Sequence, residues 1–211
     1  MSLFDTAGTF VRSVVTDRAK DIAVMMGDTI WGSRMPGREF MVWALPQGGG
    51  TSRSMIAVDQ AHSSFAPDGA VARLGRDARG ELLVADDRPG LWYTRTSGAF
   101  SRHGRELLPG ARFVVRDGIA VPPASTSGIG ALQGGRVAIA YVKHTVPRSR
   151  QERPSHAAFI AVFGSRGELL GEIPLGSTRV AVFATSRDGQ FVYLPSTEPF
   201  PRVVKYRVVS R

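Results

Sequence analysis

Hydrophobic positions in this chain come in short runs of roughly four to six residues, each closed by glycine, proline or aspartate. Residues 80–98, GELLVADDRPGLWYTRTSG, show the pattern whole. Leucine, valine, tryptophan, tyrosine and threonine fill 82–84 and 91–96 and predict two strands. Asp86, Asp87, Pro89 and Gly90 supply the tight turn between them.

The pattern repeats. A glycine, a polar residue and a β-rich run begin at Gly27 (GDTIWGS), Gly80 (GELLVAD), Gly135 (GRVAIAY) and Gly189 (GQFVYLP), at intervals of 53, 55 and 54 residues. Each run leads through a turn into a second predicted strand, at 39–45, 91–96, 158–163 and 202–209. Each marker glycine is preceded by another β-compatible segment, at 22–25, 71–74, 129–132 and 180–184. Residues 2–15 read as the second half of such a unit, because Phe4, Gly8, Phe10 and Val11 fall where Phe163, Gly167, Leu169 and Leu170 fall later on.

The unit is thus about four strands in about fifty residues, the size of a β-propeller blade. A twisted four-stranded sheet with two apolar faces cannot cover both alone, so the units must stack face to face. Runs such as Leu82-Leu83-Val84-Ala85 and Val137-Ala138-Ile139-Ala140 are continuous rather than alternating, which predicts strands dry on both sides. Trp31 and Trp43 are expected between blades.

The expected fold is therefore all-β: one β-propeller domain over residues 1–211, with about three complete four-stranded blades near 21–58, 60–108 and 112–174 and partial blades at both ends. This describes an open arc or a fragment of a larger ring. Pairing of 10–15 beside 205–209 would hide the terminal edges; left open, blade edges invite self-association. At most one helical turn is expected, within 16–26. Gly128, Gly130 and Gly134 lack dinucleotide-binding spacing and read as turn residues, and residues 47–52 (QGGGTS) lack the lysine of a phosphate loop.

The LFDTAG and VFGSRGELL turns, the GELLVADDRPGLWY hairpin and the closing VVKYRV segment together resemble the C-terminal part of the six-bladed β-propeller group that includes NHL-like proteins. The resemblance covers most of the chain and specifies a blade rather than a reaction. It implies a disc that meets ligands or partners at one face through inter-strand loops. Members with a full ring usually carry about two more blades ahead of the equivalent of Leu3, often behind a signal peptide. It therefore implies incompleteness at the N-terminus and favours an extracytoplasmic location, although residues 1–20 have no basic start followed by an apolar segment.

Charge and composition narrow the chemistry. The absence of cysteine excludes disulfides and thiolate metal sites, and no apolar run reaches membrane-spanning length. The net charge is +9, with lysine only at Lys20, Lys143 and Lys205. The arginines are spread along the chain without a block, so they read as solvated surface and nucleic acid is disfavoured as a partner. The densest patch is Arg148, Arg150 and Arg153, in a Pro- and Arg-rich loop too polar for a core and flanked by His144 and His156. These five residues form the candidate ligand face.

His62, His103, His144 and His156 all fall in or beside predicted turns and are expected to be exposed. His144 and His156 can come together across their loop, with no obvious third metal ligand. Asp86 and Asp87 can offer oxygens to Ca²⁺, but at a strand end such residues more often bond to backbone N–H groups in Asx turns. Lactonase-like propellers hold a central divalent ion with acidic and amide side chains, and this chain has no asparagine. No G-x-S-x-G elbow is present. Trp92 and Tyr93 alternate with Arg95, yet neighbours in a strand face opposite ways, which favours core packing over base stacking. The reading is a non-catalytic module without a cofactor, binding a protein, peptide or glycan. The alternative is a metal-dependent propeller enzyme, lactonase-like or lyase-like, using Ca²⁺.

Overall fold

The marker glycines occupy turns that only glycine adopts without strain. Gly80, Gly135 and Gly189 have φ of +85°, +73° and +68°, the left-handed region closed to most side chains. Each sits in the tight link between the innermost strand of a sheet and the next strand out. The computed structural model describes residues 2–4, 7–13, 23–26, 29–34, 41–46, 53–57, 73–96, 99–116, 119–145, 155–176, 183–196 and 200–209; Gly27 lies outside them.

β1 (Ser2–Phe4) and β2 (Phe10–Ser13) form an antiparallel pair. β3 (Ala23–Met26), β4 (Thr29–Arg34), β5 (Met41–Pro46) and β6 (Arg53–Ala57) form the first four-stranded sheet, in chain order. The second consists of β7 (Arg73–Arg76), β8 (Leu82–Ala85), β9 (Leu91–Thr96) and β10 (Ala99–Gly104). A separate hairpin follows, β11 (Val114–Arg116) with β12 (Ile119–Val121). The third four-stranded sheet is β13 (Ala124–Leu132), β14 (Arg136–Thr145), β15 (Ser155–Phe163) and β16 (Leu169–Gly176). β17 (Ala184–Thr185), β18 (Phe191–Ser196) and β19 (Arg202–Arg207) make a last sheet of three.

Three complete blades with partial ones at both ends is the arrangement the repeat predicts. The parallel between the two outer turns holds as well: Gly8 and Gly167 have φ of +82° and +83°. β2 pairs with β1, and among the described residues β19 pairs only with β18, in keeping with an open arc rather than with a pairing of 10–15 beside 205–209. A local hairpin costs far less chain entropy than bringing the two ends of the chain together. The hairpin β11–β12 was not foreseen, and the third blade starts at Ala124 rather than near 112. Gly128 and Gly130 lie inside β13 and are strand residues, whereas Gly134 (φ +74°) is a turn residue. The single helical element among the described residues is a 3-10 turn at Gln133–Gly135; of the segment 16–26, residues 16–22 lie outside the described residues and Ala23–Met26 is a strand.

In the third sheet the strand β14 is dry on both faces over Val137–Tyr141. Alternate residues of β14, Val137, Ile139 and Tyr141, join Leu83, Ala85 and Trp92 of the second sheet in one core. The residues between them, Ala138 and Ala140, join Val192 and Leu194 of the last sheet, and Phe183 just before it, in another. Full burial of an aliphatic or aromatic side chain contributes about 1.5–3 kcal/mol, so sheet stacking supplies most of the cohesion. Trp31 is buried, with the Arg95 guanidinium of the second sheet 4.8 Å from its ring centre, which places it between the first two blades as expected. The side chain of Trp43 lies outside the described residues.

Glycines in the innermost strands let neighbouring sheets converge. A Cβ at Gly75 of β7 would lie 2.4 Å from the Ile129 carbonyl oxygen of β13. One at Gly130 of β13 would lie 2.5 Å from Thr185 Oγ1 of β17. Blades are closest at their inner strands, and there a side chain does not fit.

Candidate functional site

The turns at 77–81, 133–135 and 187–189 lie at one end of the blades, where Asp77, Gln133, Gly135 and Asp188 line a common groove between the second and third sheets. β8 and β14 run away from that end. The turn at 86–90 and the ends of β14 and β15 that flank residues 146–154 therefore share the opposite end. Thr126, near the start of β13, bonds the Asp87 carbonyl there, and the His144 N–H donates to the Pro123 carbonyl at 2.9 Å.

Two constellations stand at this end. In the first, His144 of β14 faces His156 of β15 in register, with the rings edge to face at 5.1 Å and Nδ1 to Nδ1 at 2.9 Å. His144 Nε2 lies 2.9 Å from Ser125 Oγ of β13. Register places all three side chains on the face turned to the last sheet, the face that carries Ala138, Ala140 and Ala158 lower down. Burial, and then the neighbouring His156, lower the pKa of His144 and hold it neutral. The row Ser125, His144, His156 can share a proton along its length. Alternatively, with neither Nδ1 protonated, the two facing imidazole nitrogens can hold a common ion.

The second constellation is the turn Asp86-Asp87-Arg88. Asp86 is fully buried and makes the expected Asx turn, its Oδ1 accepting the Arg88 N–H at 3.0 Å. The Arg88 guanidinium turns back to Asp86 Oδ2 at 3.4 Å and reaches Glu106 Oε1 at 2.5 Å. Asp87 is buried beside it, and neither of its carboxyl oxygens has a well-formed hydrogen bond. Desolvation, and then the adjacent Asp86 carboxyl, push its pKa up to about 8, so it carries a proton at neutral pH. Burial and Asp86 likewise raise the Tyr93 hydroxyl. The Asp86 oxygens that a calcium ion would need already face a guanidinium. Among the described residues no group of three His, Asp or Glu side chains is placed to hold a metal.

Of the five candidate ligand-face residues, His144 and His156 are brought together; Arg148, Arg150 and Arg153 lie outside the described residues, as does His62. The expectation of exposed turn histidines is corrected for the three described: each lies in a strand and is half-buried. His103 stacks on Trp92 at 4.4 Å between ring centres and bonds Thr94 Oγ1 through Nε2 at 2.8 Å, because β10 is a ladder partner of β9 rather than a turn. Trp92 is in the core, as expected. Sequence reasoning missed Ser125 and the burial of Asp87. Ser125 is separated from His144 by 19 residues and gives no local signal.

An apolar groove of about 530 Å³ also opens between the third and last sheets, lined by Ala138, Ile160, Val162, Leu175, Leu194 and Val208 among others. No helix among the described residues is long and apolar enough to cross a membrane.

Comparison with solved structures agrees with the fold. A member of the DUF4221 family from Bacteroides vulgatus superposes with a TM-score of 0.57 at 8% identity, over 97% of this chain and 68% of its own length. Virginiamycin B lyase from Staphylococcus aureus gives a TM-score of 0.44 at 12% identity, over 100% of this chain and 78% of the lyase. TolB from Acinetobacter baumannii gives 0.46 at 12% identity, over 98% of this chain and 45% of TolB. At such identities the likeness concerns the fold alone, and it is the succession of four-stranded antiparallel sheets in chain order that makes these units β-propeller blades. No protein-family model and no curated protein matches the sequence.

Proposed function

We propose that this chain is a non-catalytic binding module whose blades present the end carrying residues 86–90 and 146–154 to a protein, peptide or glycan. The observation that carries this reading is the meeting of His144 and His156 on the strand ends that flank the Arg-rich residues 146–154. Their bond joins the strand ends on both sides of residues 146–154. A loop held at its base by a rigid sheet is where binding residues are commonly mounted. Arg148, Arg150 and Arg153 give that loop a preference for acidic peptides or sulfated glycans. The near-constant blade repeat and the two matching glycine turns support placing the blades in a ring of the six-bladed NHL-like type. Exposed Val203 and Tyr206 on the edge strand β19 support self-association, read as a concentration-dependent sedimentation coefficient.

The test is binding of a polyglutamate peptide, heparin and duplex DNA to the full chain and to its Arg148→Ala/Arg150→Ala/Arg153→Ala variant. The proposal expects peptide or heparin affinity to fall at least about tenfold in the variant, with DNA the weakest ligand. Equal affinities in both proteins would contradict it. Stoichiometric Ca²⁺ retained after dialysis would favour the metal-dependent enzyme instead.

A further inference from the structure

We infer that His144 and His156 form a bidentate site for a divalent first-row transition ion, best suited to Cu²⁺ and then Ni²⁺. The two histidines stand directly opposite each other on β14 and β15, with their Nδ1 atoms 2.9 Å apart. An ion bound at about 2.05 Å to each of two nitrogens at a right angle separates them by about 2.9 Å; tetrahedral binding requires about 3.3 Å. The spacing therefore fits the cis positions of a tetragonal ion more closely than those of a tetrahedral one. Both rings are mounted on paired strands, with Thr145 opposite Ser155 as the next rung, so the ladder holds the imidazoles near this spacing before any ion arrives.

Ser125 provides the second argument. A ligating histidine characteristically donates its other ring N–H to an oxygen, which fixes the tautomer and the ring plane. His144 Nε2 is 2.9 Å from Ser125 Oγ. Assigning the Nε2–H to that bond leaves the His144 Nδ1 lone pair facing His156. His156 then donates its Nδ1–H to His144 in the empty site. On binding an ion it moves that proton to Nε2, so both Nδ1 lone pairs are offered and no proton need be released. Water fills the remaining positions on the ion. The site rests on the same His144–His156 contact as the binding reading above but needs no ligand on residues 146–154, so ion titration and ligand binding test the two separately.

The experiment is titration of the purified full chain with Cu²⁺ alone and Ni²⁺ alone, by calorimetry and, for Cu²⁺, by electron paramagnetic resonance. The expected result is one equivalent of Cu²⁺ with hyperfine structure from two imidazole nitrogens, and Cu²⁺ bound more tightly than Ni²⁺. His144→Ala and His156→Ala should each weaken Cu²⁺ at least about tenfold, and Ser125→Ala by about tenfold. His62→Ala and His103→Ala should leave it unchanged. His156→Phe, which keeps a ring in place, serves if the alanine variants do not fold. Absence of stoichiometric binding, a one-nitrogen spectrum, or undiminished Cu²⁺ affinity in a folded His144 or His156 variant would overturn the inference.

Discussion

The main-chain carbonyl of Asp87 accepts two hydrogen bonds from Thr126, one from its N–H at 3.3 Å and one from its hydroxyl at 3.1 Å. The β8–β9 turn of one blade is thereby tied to the innermost strand of the next. Thr126 is buried, so its hydroxyl has no water to fall back on. Thr126→Val should lower the unfolding free energy by about 1 kcal/mol, whereas Thr126→Ser should stay closer to the parent. Urea unfolding of the three proteins checks this.

Asp87 should make stability depend on pH. Its carboxyl titrates near 3.8 in the unfolded chain and near 8 in the fold, because burial penalises the charged form. Between those values the folded state binds more protons than the unfolded one, so this group's contribution falls as pH rises through that window. Asp87→Asn, neutral throughout, should exceed the parent's melting temperature by a margin that is small at pH 5 and larger at pH 9. Parallel melting curves across that range would contradict the assignment.

Arg88 neutralises a fully buried carboxylate and also reaches Glu106. Removing one partner of such a pair leaves a charge without compensation. Arg88→Ala should therefore cost about 3–5 kcal/mol, far more than an exposed pair contributes. Thermal unfolding of Arg88→Ala beside Arg166→Ala, an exposed turn arginine, makes the comparison.

What could be read from the sequence follows from which constraints are local. Gly80, Gly135 and Gly189 announce the blades because a left-handed turn must recur wherever an inner strand folds onto its neighbour. Leu82–Ala85 announces a strand buried on both faces because no polar residue interrupts it. β13 was only partly legible: ASTSG looks like a loop, yet these small residues lie in an inner strand where the next blade approaches. The candidate site was legible in its histidines, since a single hairpin joins them. Its third member was not, because Ser125 meets His144 only through the register of β13 on β14. The burial of Asp87 likewise depends on a strand from the following blade.

The central claim is that consecutive blades stack through inner strands that come too close for side chains. Three glycine substitutions test it most directly. A Cβ at Gly75 would strike a carbonyl oxygen that its own strand holds in place, and a Cβ at Gly130 would strike Thr185, whose β-branched side chain has little freedom to turn aside. Nothing lies within 4 Å of a Cβ at Gly171 on the outermost strand β16. The measurement is the unfolding free energy of Gly75→Ala, Gly130→Ala and Gly171→Ala. Losses of about 1–3 kcal/mol for the first two, with Gly171→Ala as stable as the parent or slightly more so, are the predicted result. Equal effects at all three positions, or a stable Gly130→Ala, would contradict the stacked-blade account.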